Sequence, residues 1–279
     1  VRILGLLLLT TNSLISVVCA STDNTTLESA VFGSGDRKDG YDSDQYVTNS
    51  LSITARKGVK ADLLKFINEP ILGLPLVRQP ENNIATEEKV ELGRLLFFDR
   101  RLSLNDTFSC AICHIPEQGF TSNEIKTAVG IEGRSVKRNS PTIYNIAYYD
   151  ILFQDGREDS LEQQAWSPLL AHNEMANPSI GYVINKIKAI KEYQGLFEKA
   201  FAGKGPTMET VGMALAAYQR TLNSGNSRFD HWKYGDVDDA LSQDEIDGYN
   251  LFAGKAGCVA CHLIAVSYTH LTLPTIVRV

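Results

Sequence analysis

The sequence predicts a mainly α fold, on three observations. Helix-start signals precede apolar residues at helical spacing in three places. Strict apolar–polar alternation, the mark of a half-buried strand, is almost absent. Gly, Pro and Asn clusters separate the helical stretches. The first start is Thr86-Glu87-Glu88. It sets a capping hydroxyl and two acidic side chains at the positive end of the helix dipole, ahead of Val90, Leu92, Leu95, Leu96 and Phe97. The second is Pro206-Thr207, before a run from Met208 to Leu222 spaced like an amphipathic helix. The third is the capping box Ser242-Gln243-Asp244-Glu245, which opens a helix through about Phe252.

A chain of 279 residues can hold one large domain or two small ones, with core enough to fold without staples. Its net charge of -6 and the absence of a Lys/Arg cluster exclude a nucleic-acid binder. Residues 1–20 read as a signal peptide: Arg2, an apolar run from Ile3 to Leu9, then Val18-Cys19-Ala20 for cleavage after Ala20. Thr10 to Ser13 interrupt the run, leaving it short of the roughly 20 apolar residues that a membrane span requires. Residues 21–60 are rich in Ser, Thr, Asp, Asn and Gly, and read as a flexible lead, with order expected from near Ala61. Residues 266–279 read as a non-native tail, because VSYTHLTLPT (Val266 to Thr275) resembles translated sequencing-adapter DNA. His270 is therefore left out of every ligand argument.

The chemistry lies in a repeated motif. Cys110-Ala111-Ile112-Cys113-His114 and Cys258-Val259-Ala260-Cys261-His262 both have the Cys-x-x-Cys-His spacing of haem c attachment. Thiols three apart on one helical turn reach the two vinyl groups on a porphyrin edge, and the following His comes beneath the iron. His114 and His262 are thus the expected iron ligands. A zinc site would need more ligands from one place, and a redox Cys pair would not explain a His in the same position twice. The reading is two covalent haems c in an exported chain.

Around these motifs the chain resembles the bacterial di-haem cytochrome c peroxidase family, including its MauG-like branch, which oxidises a partner protein. Leu92 to Asp99 (LGRLLFFD) and Arg138-Asn139-Ser140-Pro141-Thr142 carry the likeness on either side of the first motif. Asp155-Gly156-Arg157, Glu162-Gln163-Gln164-Ala165, Glu174-Met175 and Asn226 to Asp230 (NSRFD) follow in the family's order. The resemblance implies two cytochrome c-like haem domains, here a peroxidatic domain over 61–225 and only the start of an electron-transfer domain over 226–265, the second truncated. It implies an enzyme that reduces hydrogen peroxide or uses it to oxidise a protein, and the signal peptide would place it in the periplasm. The second haem would pass electrons to the first. The electron source would be a small cytochrome c, a cupredoxin or a partner protein, and a homodimer is one assembly it allows.

By the same resemblance, Gln164 and Glu174 form the polar pair on the open side of the first haem. A carboxyl group there can move a proton from one peroxide oxygen to the other, and an apolar pocket would raise its pKa towards the working range. Pro168 between them is expected to break the helix and let both side chains converge. His172 sits near this pair and could join the pocket, but reads first as a satisfied or exposed His, and Glu162 does not align with the pair. Asn139 matches a contributor to an interdomain calcium site. Arg134, Arg138 and Arg157 are candidates for haem propionate partners.

Three departures from the family bear on chemistry. Ile131 stands where the family's peroxidases place a His over the first iron, and isoleucine cannot ligate. Gln154 replaces a Trp between the haems, and an amide cannot carry a transient hole; Tyr148, Tyr149 and Trp166 are candidate substitutes. The usual Met or Tyr ligand of the second haem would lie past residue 265, with Met208 and Met213 read as core. The rival reading is a di-haem electron carrier without chemistry of its own, in which Gln164 and Glu174 would have no acid–base task.

Overall fold

In a computed structural model of the protein, residues 62–260 are described. The expectations for the signal peptide (1–20), the lead (21–60), Cys261, His262 and the tail (266–279) lie outside the described residues. Regular structure among the described residues is helical. In chain order it comprises α1 Lys65–Asn68, α2 Glu87–Phe98, α3 Cys110–Cys113, α4 Leu161–Gln164 and α5 Trp166–Leu170. Then come α6 Ile180–Ala189, α7 Leu196–Ala200, α8 Met208–Gln219, α9 Arg228–Tyr234 and α10 Gln243–Ala253. Extended pairing among these residues is confined to isolated bridges that close loops: Ile115 with Thr121, Val129 with Ser135, Leu152 with Glu158. The fold is mainly α, as the sequence predicts.

The predicted caps form. The Thr86 hydroxyl accepts from the Lys89 amide at the start of α2. Ser242 and Glu245 cap α10 reciprocally. At α8 the box pairs Thr207 with Thr210.

The α8 helix departs from its amphipathic expectation: Thr210 to Gln219 are all buried. Two helices enclose it, and small residues let them approach. A Cβ on Gly93 of α2 would come 1.9 Å from the Ala214 carbonyl oxygen, and one on Gly212 would come 2.3 Å from that of Glu162 in α4. Such contacts admit no side chain, so α8 runs through the core. There Val211, Ala214, Leu215 and Ala217 pack with Leu92, Leu96, Phe97 and Trp166.

The break expected at Pro168 falls earlier, at Ala165 between α4 and α5. Proline has no amide hydrogen to offer the carbonyl four residues back, and its ring crowds that carbonyl, which belongs to Gln164. The helix therefore stops at Gln164 and restarts at Trp166. Met213 is in the core as expected, but Met208, in the first turn of α8, is exposed.

Candidate haem-attachment site

The first motif forms a single helical turn. Ser109 is extended, α3 carries both thiols, and His114 leaves the helix as its C-cap, with its amide donating to the Cys110 carbonyl at 2.9 Å. Both cysteines are free thiols, and both are half-buried. Burial pushes the Cys110 thiol up to about 12, with the fields of Cys113 and Glu174 adding to it. Burial also raises Cys113, again helped by Glu174. Glu174 is therefore close enough to be felt at both sulfurs.

His114 is oriented by a backbone carbonyl. Its Nδ1 lies 3.0 Å from the Phe120 oxygen, and burial lowers its pKa, outweighing backbone hydrogen bonds to Phe120 and Pro141, so the ring is neutral. The acceptor is held there at some cost. Phe120 has φ +55, a left-handed backbone unusual for a bulky residue and costing about 1–2 kcal/mol. Three things hold it: the Phe120 amide donates to the Ile115 carbonyl at 2.8 Å, the ring stacks edge-on to Tyr144, and it also meets Phe97.

The 138–142 segment braces this loop from outside. The Asn139 carboxamide donates to the Ser122 carbonyl at 2.7 Å and accepts from the Ser140 amide at 2.9 Å. The Thr142 hydroxyl donates to the Gly119 carbonyl, and the Thr121 hydroxyl donates to that of Ser140. Asn139 thus has work as a pin between two loops, and calcium there rests on the resemblance alone. Sequence reasoning missed Phe120, because a carbonyl acceptor leaves no residue-type signature.

Two free thiols on one turn, with a neutral imidazole held by its far nitrogen, are the donor set that haem c requires. A cleft of about 190 Å³ opens beside Cys113, with Ile112, Ile115, Ile125, Ala128 and Val129 on its apolar wall and Gln118, Ser122 and Glu124 on its polar one. The residues present fit the group.

A profile of the di-haem cytochrome c peroxidase family matches residues 87–238, which include this motif and its braces. The chain belongs to that family. It is similar to the methylamine utilization protein MauG of Methylorubrum extorquens, 44% identical over 187 residues, covering 67% of this chain and 52% of MauG. The cytochrome c551 peroxidase of Nitrosomonas europaea is 39% identical over 196 residues, covering 70% of this chain and 56% of that protein. Among solved structures, a MauG-like protein associated with microbial copper homeostasis superposes with TM-score 0.63 at 32% identity, covering 70% of this chain and 57% of that one. The chain spans about half the length of the curated relatives it matches.

The other residues expected from the family resemblance fall into place unevenly. Glu174 is half-buried in the turn after α5, where its amide donates to the Ala171 carbonyl. Its carboxyl makes no hydrogen bond among the described residues. Burial raises its pKa, partly offset by Arg157. Gln164, half-buried at the end of α4, does not hydrogen-bond to Glu174, and its carboxamide too makes no hydrogen bond among the described residues. Ile131 is wholly buried, and its amide donates to the Glu174 carbonyl at 3.0 Å.

Arg134, Arg138 and Arg157, the propionate candidates, all have protein partners. Arg134 donates to the His172 carbonyl and pairs with Glu132, while Arg138 and Arg157 share Asp155. Arg157 also lies over the Phe153 ring at 3.4 Å. His172 is exposed, as expected. Gln154 is exposed, Trp166 is buried with its indole N–H on the Met208 carbonyl, and Tyr149 is exposed.

Glu162, outside the expected catalytic pair, has a structural task. Its carboxylate accepts from Arg220 at 2.7 and 3.1 Å, from Asn83 at 2.7 Å and from Ser160 at 3.1 Å. Cys258, the described thiol of the second motif, is half-buried after α10, with its sulfur 3.8 Å from the Ala256 carbonyl. Among the described residues no helix is long and apolar enough to cross a membrane.

Proposed function

We propose that this chain is the peroxide-reacting part, with the start of an electron-transfer domain, of an exported, periplasmic di-haem cytochrome. The whole protein reduces hydrogen peroxide, or uses it to oxidise a partner protein. Glu174 carries the reading: a half-buried carboxyl without ion pair or hydrogen bond among the described residues, raised by burial, and felt at both thiols of the first motif. A pure electron carrier has no use for such a group.

Haem c on Cys110, Cys113 and His114 would supply the iron centre at which peroxide is activated, and a second on Cys258, Cys261 and His262 would feed it electrons. The chain's own residues do the rest. His114 stays neutral and fixed by Phe120. Glu174 takes a proton from one peroxide oxygen and returns it to the other as the O–O bond breaks. Gln164 can orient peroxide or water but cannot readily exchange a proton. Each peroxide consumes two electrons and two protons and leaves as two waters, the electrons coming from a small cytochrome c, a cupredoxin or a side chain of the partner.

The test is Glu174→Gln in the full-length, haem-loaded protein, mixed with peroxide in a stopped-flow instrument. The rate should fall by roughly 10²–10⁴-fold, the usual worth of a positioned acid–base group. Haem content should be unchanged, and a near-wild-type rate leaves the electron-carrier reading ahead. The haem count has its own check: Cys110→Ala with Cys113→Ala should lose one of two haems by mass spectrometry, together with peroxide turnover.

A further inference from the structure

We infer that the 129–135 loop is the positioning element for Glu174, and that Gly130 sets where its carboxyl stands. The inference rests on the acid–base reading of Glu174 given above.

Gly130 has φ -87, a backbone any residue can adopt, so its reason for being glycine is space. A Cβ there would fall 2.1 Å from the Asn173 carbonyl oxygen and 2.8 Å from the Glu174 Cα. Both neighbours are backbone atoms and cannot rotate away as a side chain would. Any larger residue must push Glu174 and its turn outwards.

The same two strips of backbone are laced together on either side of that contact. Next to it, the Ile131 amide donates to the Glu174 carbonyl at 3.0 Å. The Arg134 guanidinium donates to the His172 carbonyl at 2.7 Å, and the Asn173 carboxamide donates to the Ser135 carbonyl at 3.3 Å. The loop is itself closed, by the Gly130 amide on the Arg134 carbonyl at 2.8 Å and by the Val129–Ser135 bridge. Its left-handed residues Glu132 and Gly133 make the reversal, and the wholly buried Ile131 anchors it in the protein. Every link reaches the backbone of 172–174 or the Asn173 amide, and none reaches the Glu174 carboxyl. The carboxyl is thereby placed without being engaged, as a group that must pick up and release a proton needs to be.

The experiment is a double-mutant cycle in the full-length, haem-loaded protein, with Gly130→Ala made in the wild-type and in the Glu174→Gln background. Gly130→Ala should slow the reaction with peroxide by about 10²-fold, the scale expected for an ångström of misplacement. In the Glu174→Gln background it should add almost nothing, because the group it misplaces is gone. Hydrogen–deuterium exchange gives a second readout: Gly130→Ala should deprotect 129–135 and 172–176 together. Arg134→Gln, which adds no bulk, should show the same coupling in weaker form and serves if Gly130→Ala does not fold.

Equal losses in both backgrounds would make Gly130 a packing residue and overturn the inference. So would an undisturbed rate, or deprotection of one segment alone. If Glu174→Gln by itself leaves the rate unchanged, it is the acid–base reading that fails, and the exchange data still report on the brace.

Discussion

Glu162 and Glu174 stand at the two ends of the stretch that runs from α4 through α5, both half-buried, and their surroundings drive their acidities apart. Burial pushes each carboxyl up. At Glu162 the hydrogen bonds and charge of Arg220, with help from Asn83, outweigh burial and bring the net shift down. At Glu174 burial wins over the distant pull of Arg157, and the net shift is up. One carboxylate is locked as an anion and holds the fold. The other is left free to change its proton. Residue type and depth are alike, so the difference lies in the partners.

The largest effect that would break this comparison is in stability. Removing one side of a buried ion pair strands the other, so Arg220→Ala or Glu162→Gln should cost about 3–5 kcal/mol in urea unfolding at neutral pH. Glu174→Gln should cost nothing there or stabilise, since folding holds that carboxyl against its preference to ionise.

The signs follow from linkage. Glu162, depressed in the fold, adds stability above the unfolded glutamate value of about 4.3, lost as pH falls through its lower folded value. Glu174, raised in the fold, subtracts stability progressively as pH climbs from about 4.3 through its higher folded value. The stability gap between the two variants should therefore narrow on acidification below the glutamate range. A gap that stays constant with pH would mean that the two carboxyls do not differ as described.

A smaller effect sharpens the structural side. Gly212→Ala pushes a methyl into the Glu162 carbonyl, and overpacking of this kind costs about 1–3 kcal/mol. Because α4 also carries Gln164, the variant should disturb Gln164 while leaving Glu174 in place. A peroxide rate falling as far as with Glu174→Gln would contradict the separation of the two ends. The smallest effect is the control. Asp159→Asn, exposed and close in sequence to Glu162, should change stability by no more than about 0.5 kcal/mol and leave the peroxide rate alone.

The sequence by itself determined the helical fold and the caps at Thr86, Thr207 and Ser242, and it carries the two Cys-x-x-Cys-His spacings on which the haem-attachment proposal rests. Caps, helical turns and motif spacing are local: the residues involved lie within one or two turns of each other, so their chemistry is legible in order. The resemblance singled out Glu174 by its place in a known series of motifs. It had no means of saying that Glu174 would be unpaired while Glu162 would be clamped. Asn83, Glu162 and Arg220 are far apart along the chain, and the ion pair exists because α8 passes beside α4 at a distance that Gly212 permits. Phe120, Gly130 and the burial of α8 on all sides were hidden for the same reason. A carbonyl acceptor, a missing Cβ and a second packing face acquire meaning only once a distant segment lies against them, and that is decided by tertiary packing.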